Sequence, residues 1–210
     1  MIEMSGLVYK DLMNMRRYLK QLLLIFVVFV FIFSFSGNNY SFVAAYGVML
    51  SAMVVLSSMA YDEQAKWDKY ALTMPLSRRS LVGAKYLLGL LTVGAGGLLS
   101  LAVVVGTALF SGGSMTEGLA SVGACLCVAL LMQAVLLPCL YKFGTEKARM
   151  MMIVIFLLPT LGILALSKLG LPMPEEDFWI GLLIALPFAA ALGYLLSYFI
   201  SVSIFRKKEL

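Results

Sequence analysis

Five stretches of this chain carry no charged residue: Gln21–Tyr61, Tyr86–Thr116, Gly118–Tyr141, Met150–Ser167 and Phe178–Phe205. A helix of roughly 20 apolar residues crosses the ~30 Å hydrocarbon core of a bilayer, with every backbone polar group satisfied inside the segment. Composition agrees with a membrane setting. The chain is 62% hydrophobic and 13% charged over 210 residues, whereas a soluble domain is near half apolar and about a quarter charged. One soluble core of this size has no room for so much apolar surface. The expected fold class is therefore all-α, a polytopic membrane protein with six transmembrane helices. The spans are expected at about 19–36, 41–60, 83–110, 118–140, 150–168 and 178–203.

The domain reading is one transmembrane unit over 1–210. It comprises an interfacial helix at 1–18, two spans within 19–60, a cytoplasmic segment at 61–82, and four spans with a cytoplasmic tail over 83–210. No cleavable signal peptide is expected, because the first apolar run begins only near Leu22 and no small-residue cleavage site follows it. That run is short, so the first span is expected to start near Tyr18 with Lys20 snorkelling. Cys125, Cys127 and Cys139 read as small apolar packing residues. Their spacing does not match a zinc site, and the chain has no histidine.

The cations fix an orientation. Lys10, Arg16, Arg17, Lys20, Lys66, Lys69, Arg78, Arg79, Lys85, Lys142, Lys147, Arg149, Arg206, Lys207 and Lys208 fall on one side of this six-span arrangement, and only Lys168 on the other. The positive-inside rule then puts both termini and the two larger loops in the cytoplasm. Glu117, Glu175, Glu176 and Asp177 fall outside. The net charge of +5 is read as this topology signal, and no nucleic-acid partner is expected. Pro138, Pro159 and Pro187 are positioned to kink their spans. Gly94, Ala95, Gly96 and Gly97 form a small-residue patch that lets helices approach closely, within one subunit or between two.

Chemistry and energy are both expected elsewhere. There is no G-x-x-x-x-G-K-[ST] loop and no H-E-x-x-H motif. No span carries the acid pair or His–acid set that an intramembrane hydrolase needs to activate water. Mid-membrane ionisable groups of the kind used by ion-coupled carriers are missing too. No catalytic residue, cofactor or metal ligand is expected in the chain.

Two cytoplasmic features fit a partner. In the N-terminal segment Val8, Leu12, Met15 and Leu19 share one helical face, while Lys10, Asn14 and Arg17 share another, as in an interfacial amphipathic helix. After the second span, good helix formers run from Glu63 to Leu72. Pro75 stops that helix, and Ser77 can cap the next. Trp67, Tyr70, Ala71 and Met74 then share a face at i, i+3, i+4 and i+7. Such a face suits a groove on another protein or the headgroup level of a membrane. Arg78, Arg79 and Lys85 form a basic collar, read either as headgroup contacts or as groups that admit an anionic part of a substrate.

The run Asp62-Glu63 … Lys66-Trp67-Asp68-Lys69-Tyr70-Ala71-Leu72-Thr73-Met74-Pro75-Leu76-Ser77-Arg78-Arg79 … Lys85-Tyr86 resembles the signature of bacterial ABC-two-type permeases, with Met74 where leucine is common. The match is dense over about 25 residues, and the rest of the chain agrees in architecture only. The resemblance implies a non-catalytic permease subunit of an ATP-driven exporter in the bacterial cytoplasmic membrane. It implies a second permease subunit, identical or paralogous, and a separate cytoplasmic ATPase that holds the ATP and Mg. It makes the segment after span two a coupling helix, with Glu63, Lys66, Trp67, Tyr70, Ala71 and Leu72 at the ATPase groove. Exporters of amphipathic peptides, such as phenol-soluble modulins and bacteriocins, share this look. Rival readings are a membrane anchor or sensor for an ATPase, and a small intramembrane hydrolase.

Overall fold

The computed structural model describes residues 2–35, 40–71, 73–74, 76–111, 115–151, 153–154, 157, 161 and 176–207. All the regular elements among them are helices. These are α1 (Ile2–Asn14), α2 (Arg16–Phe35), α3 (Tyr40–Gln64), the short α4 (Trp67–Ala71), α5 (Arg78–Ser111), α6 (Met115–Phe143) and α7 (Glu176–Lys207). Residues 145–151 are also helical. Among the described residues, four segments are long and apolar enough to cross a membrane: Ala45–Gln64, Arg78–Leu109, Met115–Phe143 and Ile184–Lys207. They correspond to the second, third, fourth and sixth expected spans. The first expected span, 19–36, lies on α2, which starts at Arg16. Most of the fifth, 150–168, including Pro159, lies outside the described residues.

The helices run longer than the apolar stretches predicted. α5 has 34 residues, about 51 Å at 1.5 Å per residue, against a hydrocarbon thickness of roughly 30 Å. It begins at Arg78 rather than near 83, because Ser77 caps it. The Ser80 amide donates to Ser77 Oγ at 3.0 Å, and the Leu81 amide to the Ser77 carbonyl at 3.1 Å. At its far end α3 continues through Asp62 and Glu63 to Gln64. Both acids therefore sit on a helix rather than in a loop.

α3 packs along α5, and α6 along α7, while α5 and α6 also touch each other. The main core cluster joins Val55 of α3, Val82 and Tyr86 of α5, Leu137 and Tyr141 of α6, and Tyr194, Val202 and Phe205 of α7. The glycine patch on α5 turns out to face several ways. A side chain on Gly96 would strike Ser51 and sit 3.2 Å from the Gly47 carbonyl oxygen on α3. One on Gly97 would meet Leu126 of α6 at 2.8 Å, whereas Gly94 opens to empty space. Gly96 and Gly97 therefore serve packing inside this chain.

Polar side chains stitch α5 to α7. The Tyr86 hydroxyl lies 2.5 Å from Ser197 Oγ and 2.8 Å from Ser201 Oγ. Tyr194 donates its hydroxyl to the Tyr86 carbonyl at 2.8 Å. Buried hydroxyls without such partners would be costly in an apolar setting. α2 packs on α3 through Phe26, which fills the space over Gly47. Leu24, Val27, Val28, Phe31 and Ile32 of α2 stay exposed. Lipid solvates such a surface.

Candidate functional site

The amphipathic face of α1 rests on protein. Leu7 and Val8 are buried with Ala84 and Leu88 of α5, and Leu12, Trp67, Leu76 and Leu81 pack around them. Asp11 lies on this same face, four residues from both Leu7 and Met15, and its side chain is only 3% exposed. A carboxylate in that position must find a cation or suffer a large desolvation cost. It finds two. Lys85 Nζ of α5 approaches Asp11 Oδ2 at 2.7 Å, and Lys10 Nζ approaches Asp11 Oδ1 at 2.9 Å.

Asp62, on the last turns of α3, completes a closed box. Its Oδ1 accepts from Lys10 at 3.0 Å, and its Oδ2 is bonded by Lys85. Each lysine thus touches both aspartates, and each aspartate both lysines. Lys85 also donates to Ser58 Oγ of α3 at 2.7 Å. Two positive and two negative charges balance, which is the condition for keeping ions away from water. Lys10 additionally sits 4.0 Å from the centre of the Trp67 ring, a cation–π contact. The box therefore ties α1, α3 and α5 to the first residue of α4. Beside it is a cavity of about 60 Å³, roomy enough for water.

The segment after α3 is not one continuous helix. Lys66 has φ of 51°, a left-handed conformation that ends α3 and re-aims the chain. The Lys66 amide still bonds to the Glu63 carbonyl at 3.0 Å. The helix that follows ends at Ala71, before Met74, and the expected shared face is not uniformly exposed. Trp67 is half-buried against α1 and α5, and Ala71 is fully buried. Tyr70 is 63% exposed, and Met74 is also exposed. Lys66 and Lys69 face outward as well. Leu72 and Pro75 lie outside the described residues.

Glu63 turns toward the segment that follows α6. Its Oε2 accepts the Thr145 amide at 2.7 Å, capping the helical residues 145–151 where Gly144 (φ 81°) turns the chain. The end of α3 and the start of the helical residues 145–151 are thereby joined.

The basic collar is three residues in three settings. Arg78 donates to the carbonyls of Phe205 at 2.8 Å and Arg206 at 2.9 Å, closing the C-terminal end of α7. Lys85 is buried in the charge box. Arg79 stays exposed beside Arg206 and Lys207.

Sequence reasoning missed the box, which joins residues 10, 11, 62 and 85. One signal was readable: an aspartate on the apolar face of a helix otherwise lined by Leu7, Val8 and Met15. A second feature also lies outside that reading. Leu19, Leu22, Leu23 and Phe26 of α2 line a cavity of about 370 Å³ with Leu50, Val54, Leu91 and Leu99 of α3 and α5.

A family model described as ABC-2 family transporter protein matches residues 6–206, nearly the whole chain and all seven helices. No curated protein matches the chain.

Proposed function

Because this chain belongs to the ABC-2 family of transporter proteins and has a multi-pass set of apolar helices, we propose that it is the permease subunit of an ATP-driven exporter that docks a cytoplasmic ABC ATPase through α4. The observation that carries the docking reading is the split of the α4 region. Tyr70 and Met74 are exposed large side chains flanked by Lys66 and Lys69. An exposed aromatic beside cations is the kind of anchor that buries in a partner's groove. Trp67 in turn packs against α1 and α5, and Ala71 is buried.

In this mechanism the ATPase pushes on Tyr70. The push reaches α1, α3 and α5 together, because Lys10 links Trp67 to the charge box and Glu63 links α3 to residues 145–151. ATP and Mg act on the partner, and this chain contributes motion rather than chemistry. A second permease, identical or paralogous, completes the pathway. Both termini lie on the cytoplasmic side of a bacterial membrane, as the cation partition implies. The cargo is an amphipathic peptide or similar hydrophobic molecule, in keeping with the apolar walls of the helices. Of the collar, Arg79 is the residue free to meet an anionic group.

The test is co-purification with a candidate cytoplasmic ABC ATPase. Tyr70→Ala is expected to lose the ATPase while the permease stays folded. Trp67→Ala is expected to disturb the permease itself, because the ring packs on α1. Wild-type chain that never retains an ATPase overturns the proposal. ATPase binding without ATP-dependent peptide movement in reconstituted vesicles would make the chain an anchor or sensor instead.

A further inference from the structure

Arg78 has a consequence for its neighbours. By bonding to the Phe205 and Arg206 carbonyls, it locks the first turn of α5 to the last turn of α7. That draws Arg79 to the same hollow as Arg206 and Lys207, an open cavity of about 450 Å³. Pockets of about 300–1,000 Å³ are the usual size for small ligands. Tyr198, Phe199, Val202 and Ser203 form the rest of its lining.

Three cations share this hollow with no carboxylate in its lining, and among the described residues none of the three pairs with an acid. The contrast with the charge box is sharp, because there every lysine is matched by an aspartate. Like charges gathered in one place repel. Topology asks for cations on this side of the membrane, and a helix C-terminus favours them. Neither requires Arg79, from another helix, to join the pair on α7.

The vertical order of the lining identifies the missing partner. Arg206 and Lys207 mark the end of α7. Phe199 lies seven residues earlier, about 10 Å along the helix axis, and is exposed. Beyond it Leu192, Leu195 and Leu196 are exposed and apolar. Cations, then an aromatic ring, then aliphatic side chains is the order of a phospholipid read from its phosphate to its acyl chains. A soluble phosphate compound has no use for the apolar wall. An acidic peptide would not run down into the hydrocarbon.

We infer that this hollow binds an anionic phospholipid of the adjoining leaflet. Its phosphate lies among Arg79, Arg206 and Lys207, with Ser203 as an added donor, and an acyl chain lies along Phe199. The site does not depend on what the permease carries or on which ATPase drives it.

The test is native mass spectrometry of the full chain in detergent. It is titrated with phosphatidylglycerol and with phosphatidylcholine of the same acyl chains, and separately with glycerol 3-phosphate. A basic residue in contact with an anionic headgroup contributes about 1 kcal/mol, roughly fivefold in affinity. The triple variant Arg79→Gln, Arg206→Gln, Lys207→Gln should therefore lose phosphatidylglycerol affinity on the order of 100-fold. The matched control Arg16→Gln, Arg17→Gln, Lys20→Gln removes the same charge from α2 and should stay within about threefold of wild type. Arg79→Lys with Arg206→Lys keeps the charge and should keep most of the binding. If the triple does not remain monodisperse, Arg79→Gln and Lys207→Gln singly carry the test at about fivefold each. Equal loss in both triples would reduce the site to a diffuse surface potential and overturn the inference. So would a wild-type chain indifferent to headgroup charge, or glycerol 3-phosphate binding as tightly as the lipid.

Discussion

Removing the charge of Lys85 should release the N-terminal helix. Lys85→Met keeps the length of the side chain and deletes its ammonium group, leaving Asp11 and Asp62 to share Lys10. The two aspartate side chains are 3% and 10% exposed, so the little water that the adjoining cavity holds does not replace the charge of the lost cation. At an effective dielectric constant of 20, a charge pair 4 Å apart attracts by about 4 kcal/mol. Lys85 makes two such pairs, and desolvation of its ammonium offsets several kcal/mol of that. Deleting one partner of a buried ion pair typically leaves a net loss of about 3–5 kcal/mol. At 1.4 kcal/mol per tenfold, that is at least a ~100-fold rise in the population with α1 detached.

Trypsin reads that population. Arg16 and Arg17 lie just past α1, and cleavage there follows the open fraction when reclosing is faster than cutting. The rate of release of the N-terminal peptide from full-length chain in detergent should rise by that factor in Lys85→Met. Lys85→Met combined with Asp11→Asn returns the cluster to one cation and one anion, Lys10 with Asp62. The double variant should come back to within about tenfold of wild type, a strong positive coupling. If Lys85→Met is cut at the wild-type rate, the box does not hold α1. If the double variant is as fast as the product of the singles, the charges act independently and the closed-box argument is wrong.

Two further predictions test the packing around the site. Gly96→Val should lower the detergent melting midpoint, reflecting about 1–3 kcal/mol of overpacking, because the Gly47 carbonyl it approaches is backbone. Gly94→Ala, which meets nothing within 4 Å, should be neutral or slightly stabilising, and equal losses in the two would refute the assigned helix contact. Glu63→Ala should cost about 0.5–2 kcal/mol as a lost helix cap, seen as faster hydrogen exchange across residues 145–151 with α5 unchanged. Exchange at the wild-type rate there would mean that the bond to Thr145 contributes nothing in solution.

The sequence by itself determined the helical class and the approximate spans at 41–60, 83–110, 118–140 and 178–203. These are one-dimensional properties. Hydrocarbon excludes charge from any segment that crosses it, so the crossing segments must read as uncharged runs wherever the chain goes next. Ser77 was legible as a cap for the same reason, since capping is settled within three residues. The tertiary structure decided how charges on separate helices meet. Lys10, Asp11, Asp62 and Lys85 looked like scattered cytoplasmic charges because their pairing spans 52 and 74 positions of chain. The face that periodicity assigned to Trp67, Tyr70, Ala71 and Met74 depended on a continuous helix. The helix ends at Ala71, three residues short of Met74, and its packing leaves Ala71 buried and Trp67 half-buried while Tyr70 and Met74 are exposed. The collar of Arg78, Arg79 and Lys85 likewise looked like one feature, because charge near a membrane boundary has one apparent explanation. Only the packing of α5 against α1, α3 and α7 gives the three cations different partners: two backbone carbonyls for Arg78, a pair of aspartates for Lys85, and an open hollow for Arg79.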